Sequence, residues 1–326
     1  VAANNDETIN GAGGFIYSVS PLNPVRLQDG AYNLQPFLYP GLYFNNPVAE
    51  YEYNINRTQS YRMLGDFYTE ISFLNHFSFR TNIGTDILLG QIKQKNDPRL
   101  SINFGTPPGT GQIIDINRFS SRIILNNTLR YANSYNNKHF INFLLGQEAQ
   151  KEQTKILSAT KTGLSISYLD DLNSATNLED ASGSSSKATL LSYFSQLDYN
   201  YDNRYFLSLN GRRDGSSKFG EKNKYGNYWA VGIGWVLSSE EFLKYNNWLS
   251  FAKLRGSIGT SGNSASLNVL TQYNLVNPGN YNNLPAGTVS PGNPQIGWEE
   301  SFNTDIGLEF GLLKQRINGT IDLYNR

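Results

Sequence analysis

The residues best suited to chemistry are few, and they do not assemble into a reaction centre. Arg212-Arg213-Asp214-Gly215-Ser216-Ser217 is the densest group of charges and hydroxyls. Such a group could hold an anion, but Gly and Ser also mark loops, and the run reads as a charged strand end followed by a turn. Gly256 to Gly262 is glycine-rich but has no Lys after its last glycine, so it is not a phosphate loop. Asp170-Asp171 and Glu179-Asp180 could meet calcium. Their spacing is not that of an EF-hand, and they read as solvated loop charge. The two histidines, His76 and His139, lie in or beside turns. No nucleophile, base and orienting group can be put together from these pieces, so no enzyme and no cofactor are expected. The absence of cysteine excludes disulfides and thiolate metal sites, and no metal site is expected either.

Composition narrows the class. The chain has 326 residues with 27 basic and 27 acidic side chains, a balance that argues against a nucleic-acid partner. Its 21 Tyr, 18 Phe and 4 Trp are an excess typical of aromatic girdles at membrane interfaces or of sugar-binding surfaces. The longest apolar run, Trp229 to Leu237, is too short for a membrane-spanning helix, so only a barrel could carry this chain through a bilayer. The opening VAANNDETIN has neither the basic start nor the apolar core of a signal peptide.

The elements that must position the charged residues are strands. Leu191, Tyr193, Ser195, Leu197, Tyr199 and Tyr201 fall on one side of a two-residue period, and Ser192, Gln196, Asp198 and Asn200 on the other. Asp202-Asn203 supplies a tight turn. The chain then returns with Tyr205, Leu207 and Leu209 against Phe206, Ser208, Asn210 and Arg212. Each arm runs for about ten residues, the length a tilted strand needs to cross a bilayer.

The same alternation sets Tyr61 to Phe73 against Asp66 and Glu70, and Phe77 to Leu89 against Arg80, Asn82 and Asp86. It continues through Ile123 to Tyr131 and Ile141 to Leu145, where both faces are partly apolar. Trp229, Val231, Ile233, Trp235 and Leu237 make an apolar face directed to lipid, and Ala230, Gly232 and Gly234 on the other face leave room inside. Phe251 to Thr260, Phe302 to Leu312 with Asp305 and Glu309 opposite, and Ile317 to Leu323 complete about ten strands.

Connections are short at Asn75, Tyr135, Asp202, Ser238 and Lys314. They are long over Gln91 to Arg118, Lys151 to Lys187, Arg213 to Asn227 and Ser261 to Glu299. Short turns at one end and long loops at the other are the habit of outer-membrane barrels. Residues 1–56 read as an extended loop or early barrel segment, and residues 57–326 as barrel strands with long extracellular loops. On this reading Asp66, Glu70, Arg80, Asp198, Arg212, Asp305 and Glu309 face the lumen, where they wet it or hold a plug by ion pairs.

The run SYFSQLDYNYDNRYFLSLNGRRDGSSKFG, followed by WVLSSEEFL, KLRGSIGTSGN and FNTDIGLEFGLLKQRINGTIDLYNR, resembles the barrel of the SusC/RagA family of TonB-dependent outer-membrane transporters. The motifs agree in order and spacing, most closely from Ser192 to Arg326. The resemblance implies an all-β fold, an antiparallel transmembrane β-barrel fragment making about half of a 22-stranded barrel with a plugged lumen. The plug domain, the TonB box and the C-terminal strands are then not present. It further implies a place in the bacterial outer membrane against lipid, and active import of an oligosaccharide or a peptide with energy passed through TonB. A SusD-like surface lipoprotein is the implied lid. Tyr168, Tyr273 and Tyr281, in the long loops, are the candidates for stacking on sugar rings. A different class, a β-rich cell-surface carbohydrate-binding or adhesion module, would use the same aromatics without a plug or TonB box.

Overall fold

The computed structural model describes residues 2–7, 24–34, 46–100, 110–164, 166–243, 248–264, 275–281 and 284–326. The elements run β1 (Ala2–Glu7), α1 (Pro47–Tyr53), β2 (Ile55–Phe73), β3 (Phe77–Asn96), β4 (Gly111–Tyr135), β5 (His139–Leu164), β6 (Ala175–Tyr201) and β7 (Tyr205–Ser216). They continue as β8 (Tyr225–Val236), β9 (Leu249–Asn263), β10 (Leu275–Tyr281), β11 (Leu284–Ser290), β12 (Glu299–Leu312) and β13 (Ile317–Asn325). Eleven strands form one sheet in the order β1 through β9, then β12 and β13, while β10 and β11 pair with each other as a separate ribbon. The fold is thus nearly all-β, an open antiparallel sheet in which neighbours in sequence are neighbours in space.

The turns explain this order. Leu74-Asn75, Asn136-Asn137 and Asp202-Asn203 all have positive φ between 49° and 58°. That left-handed pair is what a two-residue hairpin turn requires, and Asn and Asp tolerate it best among residues with a side chain. Successive turns are tied at one end of the sheet: the Asp202 N–H donates to the Lys138 carbonyl at 2.6 Å and the Val236 N–H to the Arg204 carbonyl at 2.8 Å.

Several strands outrun the alternation that revealed them. Of the segment 151–187, expected as a loop, only residues 165–174 lie outside β5 and β6. Likewise β3 extends to Asn96 and β4 starts at Gly111 within the expected loop 91–118. Where neither face is apolar the hydrophobic period vanishes, but the backbone ladder does not depend on it. Residues 1–56, expected to be irregular or an early barrel segment, hold β1, which pairs with β2 from Ala2↔Arg62 to Glu7↔Arg57, and α1. Leu237 begins a short 3-10 helix, Leu237–Ser239, and is not on β8.

The chain divides into two compact units. The first comprises 1–65, 85–122 and 153–186, and the second 66–84, 123–152 and 187–326. In the first, α1 opens with Pro47 after Asn46, whose side-chain oxygen accepts from the Val48 and Ala49 N–H groups at 3.1 and 3.2 Å. Ala49 packs against Tyr32 and Leu100 in a small core. The second unit contains all five short turns and the seven charged residues expected to face the lumen.

Candidate functional site

The second unit has two unlike faces. Register places Tyr205 opposite Trp235, Leu207 opposite Ile233 and Leu209 opposite Val231. Beyond β8 the same face continues through Leu254 and Ile258 to Leu308, Ile306, Ile321 and Leu323. No described element covers this face. Ile233 is 63 % exposed and Leu323 72 %, which is the condition of an apolar surface whose solvent is hydrocarbon. A strand of 12 residues such as β8 is about 40 Å long, enough to cross about 30 Å of hydrocarbon at the usual tilt.

At the turn end this apolar face finishes in a chain of rings. Phe73 stacks on Phe77 at 5.6 Å, and Phe77 meets Tyr131 at 4.9 Å. His139 meets Tyr201 at 4.9 Å, Tyr201 meets Tyr205 at 6.2 Å, and Tyr205 meets Trp235 at 6.3 Å. Beyond the strands, Glu240 accepts hydrogen bonds from the Tyr205 hydroxyl at 2.6 Å and the Trp235 indole N–H at 3.0 Å. The Tyr205 bond, and after it the Trp235 bond, holds the Glu240 carboxyl below the usual carboxylate range. Rings with an apolar body and one polar tip, aligned in a row, make an aromatic girdle. Both histidines belong to its neighbourhood: His76 lies 6.1 Å from the Tyr131 ring, and His139 Nδ1 is 2.8 Å from the Tyr199 hydroxyl.

The opposite face carries the seven charges. Asp198 accepts from Ser208 Oγ and Gln196 Nε2, each at 2.7 Å, and from Asn142 Nδ2 at 3.3 Å. Asn142 in turn accepts from Arg130 at 2.6 Å. Arg212 donates to Asp214 at 2.7 Å, to the buried Ser192 hydroxyl at 3.0 Å and to Glu148 at 3.4 Å. Glu309 lies 3.4 Å from Arg255, which also binds Asp322 at 2.6 Å. Arg80 lies 4.1 Å over the Tyr68 ring. Asp66 stands opposite Gly84, whose missing Cβ would lie 3.5 Å from its carboxylate. Asp66, Glu70 and Asp305 have no ion pair among the described residues.

The structure therefore brings Asp198, Arg212 and Glu309 into separate cross-strand networks and leaves Asp66, Glu70 and Asp305 unpaired. Their partners Asn142, Glu148, Ser192, Arg255 and Asp322 were not anticipated, because which residue meets which depends on register between distant strands. Period alone could have placed each on the polar face.

Two grooves open on this face. The larger, about 810 Å³, is floored by Gly232 and Gly234 and edged by Asp198, Lys253, Arg255 and Asp305; Lys253 rests 5.1 Å from the Phe206 ring. The glycines do here what their place in the sequence suggests, since they leave the floor of the groove without side chains. The smaller, about 480 Å³, includes Arg212, Phe194 and Tyr228. Tyr228 is buried and its hydroxyl has no partner among the described residues.

Of the loop tyrosines, Tyr168 is 82 % exposed. Tyr273 lies outside the described residues. Tyr281 ends β10, and its side chain lies outside them. Among the described residues no group of His, Asp and Glu could hold a metal ion, and no helix is long and apolar enough to cross a membrane.

A sheet with a lipid-type face, a girdle at one end and a charged face opposite is part of the wall of a transmembrane β-barrel. The TonB-dependent receptor-like β-barrel family model matches residues 3–326, and the chain belongs to that family. Receptors of this family are outer-membrane barrels, which places the chain in the bacterial outer membrane.

TonB-dependent receptor P39 of Formosa agariphila is 27 % identical over 286 residues, covering 86 % of this chain and 27 % of its own. TonB-dependent receptor SusC of Bacteroides thetaiotaomicron is 35 % identical over 170 residues, 49 % of this chain and 17 % of its own. The RagAB peptide importer in its closed-closed state superposes with a TM-score of 0.80 at 23 % identity, over 91 % of this chain and 33 % of that one, a likeness of fold. The chain spans a third or less of the length of these relatives.

Proposed function

We propose that this chain is barrel wall of a receptor that actively imports a nutrient, an oligosaccharide or a peptide, across the outer membrane. The single observation that carries the reading is the division of faces: girdle and bare apolar side chains on one side, ion-pair networks and glycine-floored grooves on the other. An adhesion module exposed to water on all sides has no use for that division. Asp66, Glu70, Arg80, Asp198, Arg212, Asp305 and Glu309 then face the lumen, with Asp66, Glu70 and Asp305 available to cationic groups of a plug. The plug and the TonB-contacting segment belong to the full-length receptor, since the relatives matched are far longer. SusC and RagAB support a SusD-like lipoprotein as the lid, and RagAB, being a peptide importer, supports peptide as one of the two substrate classes. Tyr168, with Tyr273 and Tyr281, is assigned to substrate contact at the loop end.

The experiment is deletion of residues 266–292 in the full-length receptor, in its own host. Long surface loops carry recognition and tolerate shortening. Barrel assembly is expected to persist, while co-purification of the lid lipoprotein and growth on the nutrient as sole carbon source both weaken. Unchanged pairing and uptake would remove this loop from the mechanism. Uptake that survives loss of the TonB-contacting segment would sink active import.

A further inference from the structure

Strand β6 outruns the neighbour on one of its sides. It pairs with β7 only from Leu190 to Tyr201, yet it begins at Ala175. Thr189 fixes which way its groups point there: its N–H donates to Ser217 Oγ at 2.8 Å, and its carbonyl accepts from the Ser217 N–H at 2.9 Å. In an antiparallel strand the N–H and C=O of one residue share a side, and alternate residues share it. The backbone groups of Asn177, Glu179, Ala181, Gly183, Ser185 and Lys187 therefore point where β7 would lie if it continued. No described residue pairs with them there, and every residue from Thr176 to Lys187 is exposed.

An open edge of this length is ordinarily blunted by Pro, by charge or by shortness. Between Asp180 and Lys187 the sequence is Ala-Ser-Gly-Ser-Ser-Ser, with no Pro and no charge, and its side chains are small enough for another backbone to approach from either face. The charges stand at the ends: Glu179 and Asp180 at one, Lys187 at the other, about 26 Å apart at about 3.3 Å per residue.

We propose that this edge receives a strand from a partner protein. The backbone row recognises an extended segment without Pro, and the end charges select one with a basic residue beside Glu179 and Asp180 and an acidic residue beside Lys187. The β10–β11 ribbon is already paired within itself. A second copy fits badly, because two barrels related by an axis along the membrane normal present parallel edges, and in-register parallel pairing sets Lys187 on Lys187 and Glu179 on Glu179.

The test uses the full-length receptor in detergent and a synthetic peptide of about twelve residues, a length that covers Thr176 to Lys187. The peptide is rich in Thr, Val and Ser, with Lys near one end and Glu near the other. In amide hydrogen exchange, Ala181, Gly183 and Ser185 exchange fast in the free receptor and slow with peptide, while the even-numbered amides, bonded to β5, are slow throughout. Ser185→Pro removes an outward N–H and no bond to β5, and it weakens peptide binding about tenfold or more. Ser184→Pro marks what loss of the β5 ladder looks like, by exposing the even amides. The proposal is overturned if the odd amides are already slow in the free receptor at every concentration, which would mean that its own chain covers the edge. Protection that appears only on raising receptor concentration would mean that a second copy does. Equal binding by Ser185→Pro, or by a peptide with its charges exchanged end for end, overturns it as well.

Discussion

Strand β8 shows two sets of rules on one piece of chain. On one face Trp229 and Ile233 are exposed and Val231 and Trp235 half-exposed, with no described element laid over them. On the other Gly232 lies against Ser208, and Gly234 against Phe206 and Lys253. A soluble sheet hides its apolar face in a core, and here the apolar face is the outside, so the usual inference from exposure to tolerance is reversed. Substitution should be costly where side chains are most exposed and mild where they crowd the groove.

The sharpest way to break this comparison is a polar substitution on each face in turn. Ile233→Arg near mid-span is expected to cost about 2 to 4 kcal/mol in bilayers, the depth-dependent penalty of a cation in hydrocarbon. Gly232→Ser, one residue away, has room: its Cβ would meet the nearest side chain, Ser208, at 3.8 Å. Its cost is expected to stay within about 0.5 kcal/mol. Urea unfolding in liposomes measures both. Equal penalties would show that the two faces share one solvent, and the barrel-wall reading would fail.

A smaller effect sharpens the polar side. Arg212 ties β5, β6 and β7 together, and its side chain is 39 % exposed, so water screens much of the attraction. Arg212→Ala leaves the Glu148 and Asp214 carboxylates facing the gap and is expected to cost about 1 kcal/mol or less, falling further with salt. Arg80→Ala, which loses only a contact with the Tyr68 face, is expected to cost about half as much. A double-mutant cycle of Arg212→Ala with Glu148→Gln, at low and high salt, reads the pair term directly. A loss unchanged by salt would mean that packing on Phe194, 5.5 Å away, matters more than charge.

How much of this was legible in the sequence follows from the same two faces. Strands β2, β7, β8 and β12 announce themselves because hydrocarbon outside and water inside impose a period of two. The far halves of β5 and β6 do not, since small polar residues such as Thr160, Thr162, Ser182 and Ser184 stand there among charged ones and leave no hydrophobic record. Strand β1 carries no apolar alternation either, its sequence being Ala-Ala-Asn-Asn-Asp-Glu. The seven charges were legible as a set through parity alone. Which of them pair was not, because Arg212 and Glu148 are 64 residues apart and only register joins them. The aromatic girdle was legible as composition and only the turns could gather it at one end.

The smallest expected effect concerns the girdle's polar rim. Glu240 lies outside the strands, and hydrogen bonds from Tyr205 and Trp235 favour its ionised form. Its carboxyl therefore binds a proton less readily folded than unfolded, so the stability it contributes is present above the ordinary glutamate range and is lost as pH falls through its lowered folded value. Melting temperature in the wild type should decline across that acid window. Tyr205→Phe removes the larger of the two bonds and keeps the stacked ring, so it should lower the melting temperature slightly at neutral pH, and its acid decline should be shallower and end at higher pH, the two profiles converging in acid. Trp235 still donates, so part of the decline remains. Glu240→Gln should be flatter still, because it cannot titrate at all. Identical acid profiles for the wild type and both variants would show that the rim contributes only ring packing and that Glu240 is an ordinary surface carboxylate.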